Sequence, residues 1–142
     1  MTISSAVEST VSPSLNAAGL RILIAEDHAD CALSLAILLP MHGHEVEMAA
    51  NGPSALEKAR TDNPDVVLLD IGLPGMSGYE VSRQLTAHRP RKTPLLIAVT
   101  GFGQEEDRRN SAESGIDLHL LKPIDTDELR ALLKRFHQFL AQ

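Results

Sequence analysis

Three carboxylates, one hydroxyl and one ammonium stand at the ends of apolar runs in this 142-residue chain. Glu26 and Asp27 follow Ile22-Leu23-Ile24-Ala25, and Asp70 follows Val66-Val67-Leu68-Leu69. Thr100 follows Leu95-Leu96-Ile97-Ala98-Val99, and Lys122 follows Leu118-His119-Leu120-Leu121. Each of these residues alone reads as an ordinary solvated or capping side chain. Their joint occurrence is far more specific, because no sheet needs the set for packing. Three carboxylates in one cleft repel one another and raise each other's pKa values. A hard divalent cation relieves that repulsion, and Mg²⁺ favours a few carboxylates together with water and phosphate oxygens. Thr100 and Lys122 would then supply a hydroxyl donor and a positive charge to the remaining oxygens of a phosphoryl group. Transfer of such a group depends mainly on positioning and on neutralising charge.

Those five residues converge only if the apolar runs lie side by side. From Leu20 onward, runs at Arg21–Ala25, Glu45–Ala49, Asp65–Leu69, Leu95–Val99 and Leu118–Leu121 read as strands and alternate with five helical patterns. The first, third and fourth are almost continuously apolar, as parallel strands covered on both faces require. Intervening segments have the length of βαβ crossovers. Asn51-Gly52-Pro53 breaks the chain after the second strand, and Pro53 suits the first turn of the next helix. Gly43 and Gly115 stand where left-handed C-terminal caps favour glycine. Asp125 reads as the N-cap of the last helix, with Glu128 three residues on. That helix repeats Leu129, Leu132, Leu133, Phe136 and Leu140 along one face. Right-handed crossovers then give an α/β fold with a five-stranded, doubly wound parallel sheet and five helices. In such sheets ligands gather at the carboxyl ends of the strands.

Composition narrows the function classes. The chain is 43% hydrophobic and 23% charged, with 3% aromatic residues and no Trp, so the core must be mostly aliphatic. A net charge of −6 argues against the broad positive footprint of nucleic-acid binding, and Arg89, Arg91 and Lys92 read as a solvated loop. One cysteine, Cys31, excludes an intramolecular disulfide. It shares a helical face with Leu35, Leu38 and Leu39 and reads as a small core residue. No apolar run reaches the roughly 18 residues of a membrane span, and no secretory signal opens the chain, so a cytoplasmic location is expected. Residues 1–19, rich in Ser, Thr and Ala, read as a flexible tail, and residues 20–142 as one domain.

From Arg21 to its end, about six-sevenths of its length, the chain resembles the receiver domain of two-component response regulators. The pieces that carry the resemblance are Ile22-Leu23-Ile24-Ala25-Glu26-Asp27, the run from Val67 to Gly78, Ala98-Val99-Thr100-Gly101 and His119-Leu120-Leu121-Lys122-Pro123. The resemblance implies the flavodoxin-like strand order 2-1-3-4-5, the order of the chemotaxis regulator of this family. It implies that Asp70 takes a phosphoryl group from a sensor histidine kinase or a histidine phosphotransfer protein. Asp27, Asp70 and the backbone carbonyl of Gly72 would ligate Mg²⁺, with Glu26 acting mainly through water. Thr100 would bond the phosphoryl group and move toward it, and Lys122 would pair with Asp70. The Lys122–Pro123 peptide is expected to be cis. His119 stands at the switch position where the family carries Tyr or Phe.

Other readings fit less well. An aspartate-nucleophile phosphatase of the haloacid dehalogenase type carries a second Asp two residues after the nucleophile, where this chain has Gly72. An FMN binder would want a hydroxyl-rich loop after the first strand, and Gly101-Phe102-Gly103 lacks the third glycine of a dinucleotide fingerprint. A pseudo-receiver that binds partners without phosphorylation usually loses one member of the acidic, Thr and Lys set. His28, His42, His44, His88 and His137 show no ligand spacing and read as surface residues. With no segment after the last helix, output is expected to pass through a protein partner. The fourth helix, fifth strand and fifth helix are the surface that the resemblance implies. The domain would signal and would not turn over a substrate as an enzyme does.

Overall fold

The computed structural model describes residues 19–87, 94–101 and 114–141. In chain order these form β1 (Arg21–Ala25), α1 (Ala29–Met41), β2 (Glu45–Ala49), α2 (Gly52–Asp62), β3 (Val66–Asp70), α3 (Gly78–Ala87), β4 (Leu95–Thr100), β5 (Leu118–Leu121) and α4 (Thr126–Leu140). All strand pairs are parallel, and the sheet order is β2-β1-β3-β4-β5. Four helices lie among the described residues. The fourth of the five helical patterns falls between β4 and β5, where residues 102–113 lie outside the described residues. Residues 1–18, the basic cluster Arg89, Arg91 and Lys92, and His88 also lie outside them.

Strand alternation sorts the apolar side chains into two cores. Ile22, Ile24, Val66, Leu68, Ile97 and Leu120 meet Leu35 and Leu39 of α1 and Leu129 and Leu133 of α4. On the other face, Leu23, Val67, Leu69 and Leu96 meet Leu56 of α2 and Val81 and Leu85 of α3. β3 is buried along its whole length, as the central strand of a covered sheet must be. No helix of the described residues is long and apolar enough to cross a membrane.

The local signals explain the helix ends. Asn51 Oδ1 accepts the Ser54 N–H at 2.8 Å and Pro53 lies in the first turn of α2. Asp125 Oδ1 accepts the N–H groups of Asp127 and Glu128 at 3.0 and 3.1 Å. Gly43 and Gly115 have φ of 93° and 92°. Gly52 is needed for a different reason, close approach. A Cβ there would lie 2.2 Å from the carbonyl oxygen of Met76, and its N–H donates to the Pro74 carbonyl at 3.0 Å. The start of α2 is thereby held against the loop that follows β3.

Several sequence expectations need correction. β3 runs one residue later than expected and includes Asp70, because Asp70 pairs with Val99 in the β3–β4 ladder. Asp65 precedes the strand, and its side chain accepts the Arg21 N–H at 2.8 Å. β4 likewise extends to Thr100. Cys31 is exposed, not core. The buried stripe of α1 is Ala32, Leu35 and Leu39, and a rotation of 100° per residue leaves Cys31 and the half-buried Leu38 on its edge. Leu140 is 48% exposed, because the last turn of α4 runs past the core. His44 and His137 are half-buried, whereas His28 and His42 are exposed. His44 leaves the surface because its Nδ1 accepts the Leu20 N–H at 3.1 Å.

The two ends of α4 should therefore respond differently to truncation. Leu129→Ala, at a side chain with 0% exposure, should cost about 2–5 kcal/mol of unfolding free energy, whereas Leu140→Ala should stay within about 0.5 kcal/mol. Urea denaturation midpoints measure both. Equal costs would mean that the apolar face of α4 is not seated as described.

Candidate functional site

Four strand ends bring the charged set together at the carboxyl edge of the sheet. Glu26 and Asp27 directly follow β1, Asp70 closes β3, Thr100 closes β4 and Lys122 directly follows β5. β1 and β4 both neighbour β3, so the topology places Asp70 between the acidic pair and the hydroxyl. The Lys122 N–H donates to the Thr100 carbonyl at 2.8 Å, which holds the turn carrying the lysine against β4. The Lys122–Pro123 peptide is cis.

Glu26 and Asp70 are buried, with 9% and 7% exposure, so their charges cannot rely on solvent. Lys122 Nζ reaches both, at 3.2 Å from Glu26 Oε1 and 3.2 Å from Asp70 Oδ2. Burial works against the Lys122 charge. The hydrogen bonds to Asp70 and Glu26, with the charges of both, outweigh it and raise the lysine pKa above its ordinary value. Asp70 Oδ1 accepts the Gly72 N–H at 3.0 Å, so each oxygen of this carboxylate has a partner.

His28 belongs to the cluster, although it shows no ligand spacing in the sequence. Its backbone N–H and its Nδ1 both meet Glu26 Oε2, at 3.0 and 2.9 Å, and Nδ1 lies 3.6 Å from Asp27 Oδ1. The hydrogen bond with Glu26, then the charges of Asp27 and Glu26, raise the His28 pKa. Adjacency to the acidic pair was the available signal. Ligand atoms of Glu26, Asp27, His28 and Asp70 all lie within 4.8 Å of one another, a spacing that one metal ion can bridge. The pairing of Lys122 with Glu26, as well as with Asp70, had no signal in the sequence.

Thr100 is 3% exposed. His119 is half-buried and pairs with Ala98 in the β4–β5 ladder, where Thr100 pairs with Leu121. Thr100 and His119 therefore occupy neighbouring strands, two residues apart in register.

With this geometry established, comparison with known proteins gives the family. Residues 22–134 match the response regulator receiver domain model. The chain belongs to that family. PilH of Pseudomonas aeruginosa is 38% identical over 121 residues, covering 85% of this chain and 98% of PilH. RegX3 of Mycolicibacterium smegmatis is 41% identical over 118 residues, covering 80% of this chain and 50% of RegX3. The chain thus spans nearly all of one relative and about half of the other. The receiver domain of the sensor histidine kinase PA1611 from Pseudomonas aeruginosa superposes with a TM-score of 0.75 at 31% identity, covering 85% of this chain and 99% of that one. That structure has a magnesium ion coordinated in its active-site cleft.

Electrostatic crowding makes a stability prediction. Without divalent cations, Glu26, Asp27 and Asp70 face one ammonium, so removing one negative charge should help the folded state. Asp70→Asn keeps an acceptor for the Gly72 N–H and should raise the melting temperature in chelator by roughly 2–4 °C, about 1 kcal/mol. Calorimetry in EDTA checks this. A lower melting temperature would mean that the Lys122–Asp70 pair outweighs the repulsion.

Proposed function

We propose that this receiver domain is a phosphoacceptor that uses Asp70 and Mg²⁺ and passes the signal to a protein partner. The observation that carries the reading is Asp70 itself, buried at a central strand end between an acidic cluster and Lys122. Glu26, Asp27 and Asp70 fit a divalent cation, because three close carboxylates with one ammonium leave negative charge for a metal to neutralise. Asp27 and Asp70, with the Gly72 carbonyl, would hold it directly, and Glu26 mainly through water. When bound, Mg²⁺ supplies positive charge to the oxygens of the transferring phosphoryl group.

The chemistry then balances simply. A carboxylate oxygen of Asp70 attacks phosphorus and forms an acyl phosphate. The bond between phosphorus and the imidazole nitrogen of a phosphohistidine donor breaks, and that nitrogen keeps the electron pair. Lys122, already 3.2 Å from Asp70, is placed to follow the new phosphate charge. The Thr100 hydroxyl, at the next strand end, would donate to a phosphoryl oxygen, and His119 on the neighbouring strand would respond to its movement. The donor would be a sensor histidine kinase or a histidine phosphotransfer protein. Output would leave through the segment between β4 and β5, β5 itself and α4, where Leu118, Leu121 and Phe139 are exposed. The domain would act as a signalling switch and not as an enzyme with turnover on a separate substrate.

Two measurements test this. Acetyl phosphate with Mg²⁺ should add one phosphoryl group, labile to hydroxylamine, as read by intact mass. Asp70→Asn should abolish the addition and EDTA should nearly do so. A hydroxylamine-stable product, or full modification of the Asn variant, would falsify the assignment. Lys122→Ala should still accept some phosphoryl group but transmit less. Backbone amide shifts along β5 and α4, with and without beryllofluoride, should shrink to less than half of wild type. Undiminished shifts would reduce Lys122 to a local charge.

A further inference from the structure

His28 has no role in the proposed acceptor chemistry, yet its imidazole is turned onto the acidic pair. It occupies the N-cap position of α1, which Ser, Thr, Asp or Asn usually fill, and its side chain makes no capping hydrogen bond. Instead, Nδ1 stands 2.9 Å from Glu26 Oε2 and 3.6 Å from Asp27 Oδ1. Neighbouring ligand atoms on an octahedral ion with bonds of about 2.1 Å stand roughly 3 Å apart. The imidazole nitrogen and the two carboxylates are thus already spaced much as ligands on one ion, and Asp70 completes a group whose ligand atoms lie within 4.8 Å of one another. Lys122 does not compete for Oε2, because its Nζ takes Oε1 of Glu26 at 3.2 Å. The His28 ring is exposed and belongs to neither apolar core, so it can turn onto an ion without disturbing the packing.

We propose that His28 is a further metal ligand of this cluster and makes the site selective for a first-row transition ion over Mg²⁺. This role rests on the reading of Glu26, Asp27 and Asp70 as a divalent-cation site. Mg²⁺ is a hard ion that takes oxygen donors and keeps much of its water, so it gains little from a nitrogen donor. Imidazole suits the later first-row ions, whose affinity for such sites rises from Mn²⁺ towards Cu²⁺. Nδ1 would take a coordination position that Mg²⁺ fills with water. The ion would replace the proton that Nδ1 and Oε2 share, while the His28 backbone N–H keeps its 3.0 Å bond to Oε2. Carboxylates by themselves already favour the later ions somewhat, so the contribution of His28 is read from its removal.

The test is calorimetric titration of the full chain at neutral pH with Co²⁺ alone and with Mg²⁺ alone, comparing wild type with His28→Gln. Co²⁺ affinity should fall at least about tenfold in the variant, while Mg²⁺ affinity stays within about twofold. Excess Mg²⁺ should displace Co²⁺ from the wild type. In proton NMR, bound Co²⁺ should strongly shift an imidazole ring resonance that is missing from His28→Gln. His42→Gln, at the other end of α1, should leave Co²⁺ affinity unchanged. A merely structural contact between His28 and Glu26 would weaken both ions alike on its loss, and that result would overturn the proposal. Unchanged Co²⁺ affinity in His28→Gln, or Co²⁺ that excess Mg²⁺ does not displace, would overturn it too and leave the Mg²⁺ site standing. Failure of the wild type to bind either ion would instead overturn the cation reading, and the role of His28 with it.

Discussion

Glu26, Asp27 and Asp70 lie close enough together that their mutual repulsion governs the carboxyl edge of the sheet, and Lys122 answers it only in part. Two of these acids are buried, so neither solvent nor salt can screen the repulsion fully. The arrangement is tolerable because each buried charge is tied. Lys122 spans Glu26 and Asp70, Gly72 donates to Asp70, and His28 donates to Glu26 from its backbone. A divalent cation would relax this tension, and a phosphoryl group would restore it with more negative charge. In the proposed function, that sequence of relief and reloading would be the physical basis of the switch.

The fold supplies the rigidity that such a cluster demands. β3 is buried from end to end and flanked by β1 and β4, so Asp70 projects from the most constrained strand. Thr100 and Lys122 come from the outer side of the same sheet, linked by one backbone hydrogen bond. The two apolar cores hold these strands from both faces, and neither core includes the charged groups.

The strands and the acidic, hydroxyl and ammonium set were legible because apolar runs and the residues that end them are local signals. The strand order followed only from the family resemblance. Asn51, Asp125, Gly43 and Gly115 act as the turn and cap chemistry indicated. What was not legible depended on tertiary placement. The edge position of Cys31 follows from how α1 is rotated on the sheet, which a heptad-like pattern does not specify to within one residue. The burial of His44 depends on the N–H of Leu20, 24 residues away. The double engagement of Lys122 needs the closeness of β1 and β3, and the His28–Glu26 contact needs the turn after β1. Asn63 adopts a left-handed conformation at φ 49°, at the end of a helix where glycine would have been the plainer signal.

Gly52 gives the site a direction. The N–H of Gly52 grips the Pro74 carbonyl, Gly78 grips that of Ile71, and Ile71 grips that of Val99, so the loop after Asp70 is fastened at three points. A methyl group at Gly52 would collide with Met76, which shows how little room remains on that flank. Lys122 is tied to β4 through one backbone bond, and β5 beyond it is an edge strand. New bulk on Asp70 would therefore meet a fixed wall on one side and a hinged one on the other. Under the proposed acceptor chemistry, displacement would run toward the β4–β5 edge because the opposite anchorage yields least, much as a door opens away from its jamb.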